Sequence, residues 1–211
     1  MIEMNLQFFG GNGANSWGGG GGGLNPNDIV NTTSLLSASG KQSEIDEVMS
    51  AVKSVYDDYG IDLSDIQIAT LKGKGASTMA YYDSDGNLAV NKSYFDSKKM
   101  DAAYDRCVES GFHPDRGNKS GLEAVAAHEL GHRLTDTGKG IDATSRDIVQ
   151  KAAKKLGYKN SANMAAKISG YAKHSYAECV AEAFADVHCN GKNAKKESKA
   201  IVAELNTYYG R

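Results

Sequence analysis

His128, Glu129 and His132 stand in the run His128-Glu129-Leu130-Gly131-His132, an HExxH pattern. On a helix, residues four apart lie one above the other on the same face, so the two imidazoles can bind one metal ion together. Glu129, one position on, stands beside that ion, where its carboxylate can take a proton from a water that the metal has acidified. This is the chemistry of zinc-assisted hydrolysis. A catalytic zinc takes three protein ligands and keeps one position open, so a third ligand is required further along the chain.

The stretch from Tyr176 to Val187 offers it. Tyr176, Cys179, Val180, Ala183, Phe184 and Val187 follow helical spacing and make an apolar face, and Glu178, Glu182 and Asp186 form a carboxylate stripe beside it. Carboxylates taken out of water need a metal, a cation or hydrogen-bond donors. A solvated helix face is the ordinary meaning of such a stripe, and the HExxH run upstream tips the choice toward a metal.

The pattern is also similar to a known one. Gly170-Tyr171, then Glu178 seven residues after the tyrosine, then Glu178-x-x-Ala181-Glu182-Ala183-Phe184 resemble the second active-site segment of the anthrax lethal factor metalloprotease family, which includes the Pro-Pro endopeptidases. The resemblance covers roughly residues 120–190. It implies a Zn2+-dependent endopeptidase of the gluzincin type, with His128, His132 and Glu178 as ligands and Glu129 as general base. It further implies that Tyr171 donates a hydrogen bond to the developing oxyanion and that Glu182 orients a ligand histidine. The hairpin at 77–91 has the chain position of the edge strand that binds substrate in such enzymes. No substrate pocket is recognisable, so the substrate-binding residues are unknown.

Several elements must position these residues. Ser120-Gly121-Leu122-Glu123 fits a capping box and starts a helix at about Gly121 that runs through the HExxH residues to about Leu134. Before it, Ser43 can cap a helix to about Tyr59, where Gly60 ends it, with Ile45, Val48, Val52, Val55, Tyr56 and Tyr59 at helical spacing. Residues 66–71 and 77–82 read as strands, and Asp83-Ser84-Asp85-Gly86-Asn87 turns the chain into Leu88-Ala89-Val90, a hairpin. Further helices are expected at about 98–110, 143–155, 162–168, 176–189 and 195–208. The fold class is α+β: a mostly helical, zincin-like domain with an HExxH active-site helix and a small antiparallel sheet.

Other residues carry weaker signals. His113, between Phe112 and Pro114 in a loop, reads as a surface histidine. His174 lies between Tyr171 and Glu178, where it contacts substrate, assists the oxyanion, or is an ordinary loop residue. Adjacent side chains on a helix point apart, so His188 and Cys189 make a poor metal pair. Asp136, four residues beyond His132, holds a ligand histidine from behind, caps the helix, or is exposed to solvent. Cys107 reads as a core thiol.

Composition sets the frame. Residues 1–40 hold 10 of the 24 glycines and no Lys or Arg, which reads as a flexible Gly-rich tail before a domain at 41–211. Glu3 and Asp28 account for the chain's net charge of −2. No basic field points to nucleic acid, and Lys192, Lys195, Lys196 and Lys199 read as a solvated face. Three cysteines without framework spacing suggest reduced thiols. No apolar run is long enough for a membrane span and no secretory signal is recognisable, so the expected location is cytoplasmic, phage-virion associated, or reached by a signal-independent export route.

The opening Met4-Asn5-Leu6-Gln7-Phe8-Phe9-Gly10-Gly11 resembles that of small head-region proteins from phages of Gram-positive bacteria. The expected partners are therefore a protein or peptide substrate and phage particle components. A structural or packaged particle component, with an inactive or incidental peptidase domain, is the alternative function. A secreted effector that enters target cells is a third.

Overall fold

Helix α3 (Gly121–Thr135) carries the HExxH residues and is buried on every side: all of its residues but Arg133 are buried. In the computed structural model, which describes residues 7–8, 24–61, 66–83 and 85–211, α3 is the central element. Helices α1 (Gln42–Tyr59) and α2 (Ser97–Glu109) pack on it, as does α6 (Tyr176–Asn190). Helices α4 (Ile141–Lys155) and α7 (Lys196–Tyr208) cover α6, and α5 (Ser161–Ile168) packs beside them.

The two helices that matter most start at serines. Ser120 Oγ accepts from the Glu123 amide at 3.1 Å, and Ser175 Oγ accepts from the Glu178 amide at 3.1 Å. Each satisfies one of the amides that a helix start leaves without a partner. Only half of the expected capping box forms, because the Glu123 side chain binds Ser50, Lys119 and His188. Helix α1 begins one residue before Ser43, with no side-chain cap, and ends as expected at Gly60, whose φ of 67° lets its amide reach the Tyr56 carbonyl.

The sheet is mixed, not antiparallel as its pattern suggests. Strands β2 (Ile29–Ser34), β3 (Gln67–Leu71), β4 (Ala80–Tyr82) and β5 (Leu88–Asn91) stand in the order β2-β3-β5-β4, and the two-residue strand β1 (Gln7–Phe8) pairs parallel to β4. After β3 the chain crosses to the far side to make β4. The expected turn at 83–87 then folds β5 back between them, antiparallel to β4 and therefore parallel to β3. Ile68, Ala80, Tyr82, Leu88 and Val90 face the helices, and Ala69, Leu71, Tyr81 and Ala89 face the other way, as the two-residue period of a strand requires.

Leu24 covers that outer face, and Leu35 enters the main core. The fold therefore begins well before residue 41. Residues 24–40, which sequence places in the tail, supply β2 and part of the core; most of 1–23 lies outside the described residues. Gly75 shows how close the approach is: a Cβ there would run into Leu24, and its amide donates to Asp28 Oδ2 at 3.1 Å. Among the described residues no helix is long and apolar enough to cross a membrane.

Candidate metal centre

Three elements converge on one buried cluster. Helix α3 presents His128, Glu129 and His132, all fully buried, with ligand atoms within 4.8 Å of one another. Helix α6 presents Glu178 from its first turn, where the helix dipole favours a carboxylate. Its Oε2 lies 3.1 Å from His128 Nε2 and 3.3 Å from His132 Nε2. The loop before α6 adds Tyr171, whose hydroxyl donates to Glu178 Oε1 at 3.2 Å.

What brings α3 and α6 so close is Gly131, the small residue inside the HExxH run. A Cβ at Gly131 would sit 2.7 Å from the Ala181 Cα, closer than such atoms pack. Ala181 lies between Glu178 and Glu182, so the glycine sets how far both carboxylates reach toward the histidines.

Distances and orphan atoms separate two readings of the cluster. If His128 and Glu178 were an ordinary charge-assisted pair, they would sit about 2.7–2.9 Å apart and aligned. They are 3.1 Å apart and buried, a looser contact in which neither His128 Nε2 nor Glu178 Oε2 meets strict hydrogen-bond geometry with any of the described residues. With ligand bonds of about 2.0–2.2 Å in a tetrahedral arrangement, neighbouring ligand atoms lie roughly 3.3–3.5 Å apart. Glu178 Oε2 stands at nearly that spacing from both imidazole nitrogens, and His128, Glu129 and His132 by themselves form a group that could hold a metal ion.

Behind the cluster, Glu182 takes three donors. His128 Nδ1 and His113 Nδ1 each lie 2.8 Å from its Oε1, and Ser169 Oγ donates to its Oε2 at 2.6 Å. The carboxylate stripe of α6 is buried, not solvated. The histidine reading is corrected here: His113 is no surface residue but a buried partner of Glu182. The loop that carries it is fastened to the loop before α6, because Gly170 N donates to Gly111 O at 2.8 Å and Tyr171 N to Phe112 O at 3.0 Å. Ser169, which sequence did not single out, also accepts the Ala172 amide at 2.9 Å and so ties Glu182 to the Tyr171 turn. Its place two residues before Tyr171 was the available signal; nothing in the spacing links His113 to Glu182.

The remaining candidates have other places. Asp136 ends α3 and accepts from the Tyr82 hydroxyl at 2.8 Å, which ties the helix end to β4. Asp186 binds Asn190 and the Lys195 amide. The His174 ring lies 5.0 Å from that of Tyr171. His188 turns away from Cys189 to Glu123, with Nε2 2.9 Å from its Oε1. That pair lines a cleft of about 440 Å³ that contains none of the HExxH residues.

Burial and neighbours set the charges. Burial pushes the Glu129 carboxyl up to about 8; His128 opposes this, and Glu178 and Glu182 add to it. A backbone hydrogen bond from Tyr82 works the other way, to lower it, but burial prevails. Burial also works to raise Glu178 and Glu182, but the histidines facing each outweigh it and hold both well below the usual carboxylate range. Burial lowers the His132 imidazole, which keeps a lone pair available. For His128 burial pulls the same way, but Glu178 and Glu182 win and push it up to about 10, so a metal must displace a proton there. Burial, with Glu178 adding, lifts the Tyr171 phenol far above its usual range, so the hydroxyl stays a donor.

Comparison with protein-family models, with curated proteins and with solved structures finds no match to this chain.

Proposed function

We propose that the protein is a zinc-dependent endopeptidase, with His128, His132 and Glu178 holding the metal. The observation that carries this reading is the approach of one buried carboxylate oxygen, Glu178 Oε2, to two buried imidazole nitrogens, His128 Nε2 at 3.1 Å and His132 Nε2 at 3.3 Å. Bound there, zinc would polarise a peptide carbonyl and make water more acidic.

The chain's own groups then divide the work. Glu129, fully buried beside the cluster with its carboxyl raised to about 8, accepts a proton from the attacking water and passes it to the leaving amine. Tyr171, held in protonated form 3.2 Å from Glu178, is near enough to donate to an oxygen that gains charge as the carbonyl is attacked. Glu182 holds His128 by Nδ1, which directs Nε2 at the cluster. The chain resembles the lethal factor and Pro-Pro endopeptidase family in the order and spacing of these residues, which supports a zincin-like assignment for the fold and a protein or peptide as substrate.

The test is the Glu129→Gln variant against a peptide library. Zinc content equal to wild type with peptide cleavage lost is the expected result. Cleavage that survives the substitution excludes Glu129 as the base. Wild-type protein that takes up no zinc removes the reading altogether, and the structural particle component would take its place.

A further inference from the structure

We propose that His113 is a positioning residue of the metal centre, which holds His128 in place through the Glu182 carboxylate they share. This rests on the metal-site reading above. His113 does not reach the cluster's converging ligand atoms; it acts one step behind them.

The geometry leaves the ring little other purpose. Glu182 Oε1 lies 2.8 Å from the Nδ1 atoms of both His113 and His128. An ionised carboxylate only accepts, so each Nδ1 must carry its hydrogen. For His128 that fixes which nitrogen is left to face Glu178 and His132. Ser169 occupies the other oxygen of Glu182, so the carboxylate is held by both ends. With His113 gone, Oε1 would have one donor in place of two, and the plane of the carboxylate, which aims the His128 ring, would be less constrained.

His113 is itself immobilised. It is 3% exposed, Tyr104 stacks on it at 5.4 Å between ring centres, and Phe112 meets it edge-on at 5.0 Å. Its Nε2 is buried with no hydrogen bond among the described residues, which is a cost that a phenylalanine in the same aromatic slot would not carry. Packing therefore does not account for a histidine here; the Nδ1 donor to Glu182 does.

Two substitutions separate the donor from the packing. His113→Phe keeps an aromatic ring for Tyr104 and removes the donor; His113→Asn loses the ring but keeps an N–H donor close to the place of Nδ1. Zinc affinity, measured by competition with a chromophoric chelator, is expected to fall roughly 10–100-fold in His113→Phe and to be largely restored in His113→Asn. A residue that only packs gives the reverse order. Nitrogen NMR on zinc-loaded wild type supplies a check that needs no variant of His113: its Nδ1 must be protonated, and that proton must shift in Glu182→Gln. Wild-type zinc affinity in a folded His113→Phe protein overturns the proposal and leaves the metal site standing, as does a bare Nδ1. Should His113→Phe not fold, the NMR result and the Asn variant decide. Wild type that binds no zinc overturns both the site and this role.

Discussion

Gly131 and Ala181 meet backbone to backbone where α3 crosses α6: a Cβ on the glycine would stand 2.7 Å from the Ala181 Cα and 3.3 Å from the Phe184 Cβ. Helices this close transmit any change in one to the side chains of the other. Since Glu178 and Glu182 flank Ala181, the spacing between two backbones fixes a carboxylate against each of the two nitrogens of His128.

Gly131→Ala is therefore expected to damage the site more than a methyl group suggests. Overpacking of a full core costs about 1–3 kcal/mol, of which better helix propensity returns at most about 1. The sharper effect is on zinc: pushing α6 outward carries Glu178 away from both histidines. Chelator competition and thermal melting on the same sample check this. An alanine variant with wild-type zinc affinity means the cluster does not depend on this contact.

Glu178→Ala should remove the metal. Elemental analysis of purified wild type is expected to give one zinc per chain, and the variant, with only two imidazoles left, sharply less. Affinity should also rise with pH, because the raised pKa of His128 means its proton must leave before the metal can bind. Equal zinc in both proteins rules Glu178 out as the third ligand.

The parts of the site that lie within one helix were legible in the sequence, and the parts made by two loops meeting were not. HExxH and its serine cap are local, so their spacing alone places them on one face. Glu178 and Glu182 come from the periodicity of α6 and the family resemblance. His113 reaches Glu182 only because Gly111 and Phe112 hydrogen-bond to Gly170 and Tyr171, a tertiary event with no local signature. The parallel pairing of β3 and β5 was hidden for the same reason, since alternation shows which face a residue takes and not which strand lies beside it. Leu24 and Leu35 were lost in the average composition of a glycine-rich stretch, although each makes a core contact.

Glu123 gives a prediction about stability and pH. Burial works to raise its pKa, but hydrogen bonds from His188, Lys119 and Ser50 outweigh that and bring it down to about 2. A carboxylate with a lower pKa folded than unfolded stabilises the fold above its unfolded value, and that contribution disappears as pH falls through the folded one. Glu123→Gln should therefore lower Tm by several degrees at pH 7, and the gap to wild type should close between about pH 4.5 and pH 2. Melting curves across that range test it; a gap that does not change with pH assigns the loss to packing and not to the charge.

Tyr171→Phe isolates one hydroxyl. The ring contacts, 4.9 Å to Phe112 and 5.8 Å to His128 between centres, survive the substitution, so the turn before α6 should keep its place. What disappears is the donor 3.2 Å from Glu178 Oε1. A hydroxyl that serves mainly to hold Glu178 would show its loss as weaker zinc binding with turnover per bound metal unchanged. A hydroxyl that donates to charge formed during attack would leave zinc content and KM near wild type and lower kcat by roughly 10²–10³-fold. The second pattern is expected, because the phenol stays protonated in the buried site and Glu178 has the histidines to hold it in place. Kinetics on metal-saturated enzyme, beside zinc titration of the same variant, distinguish the two.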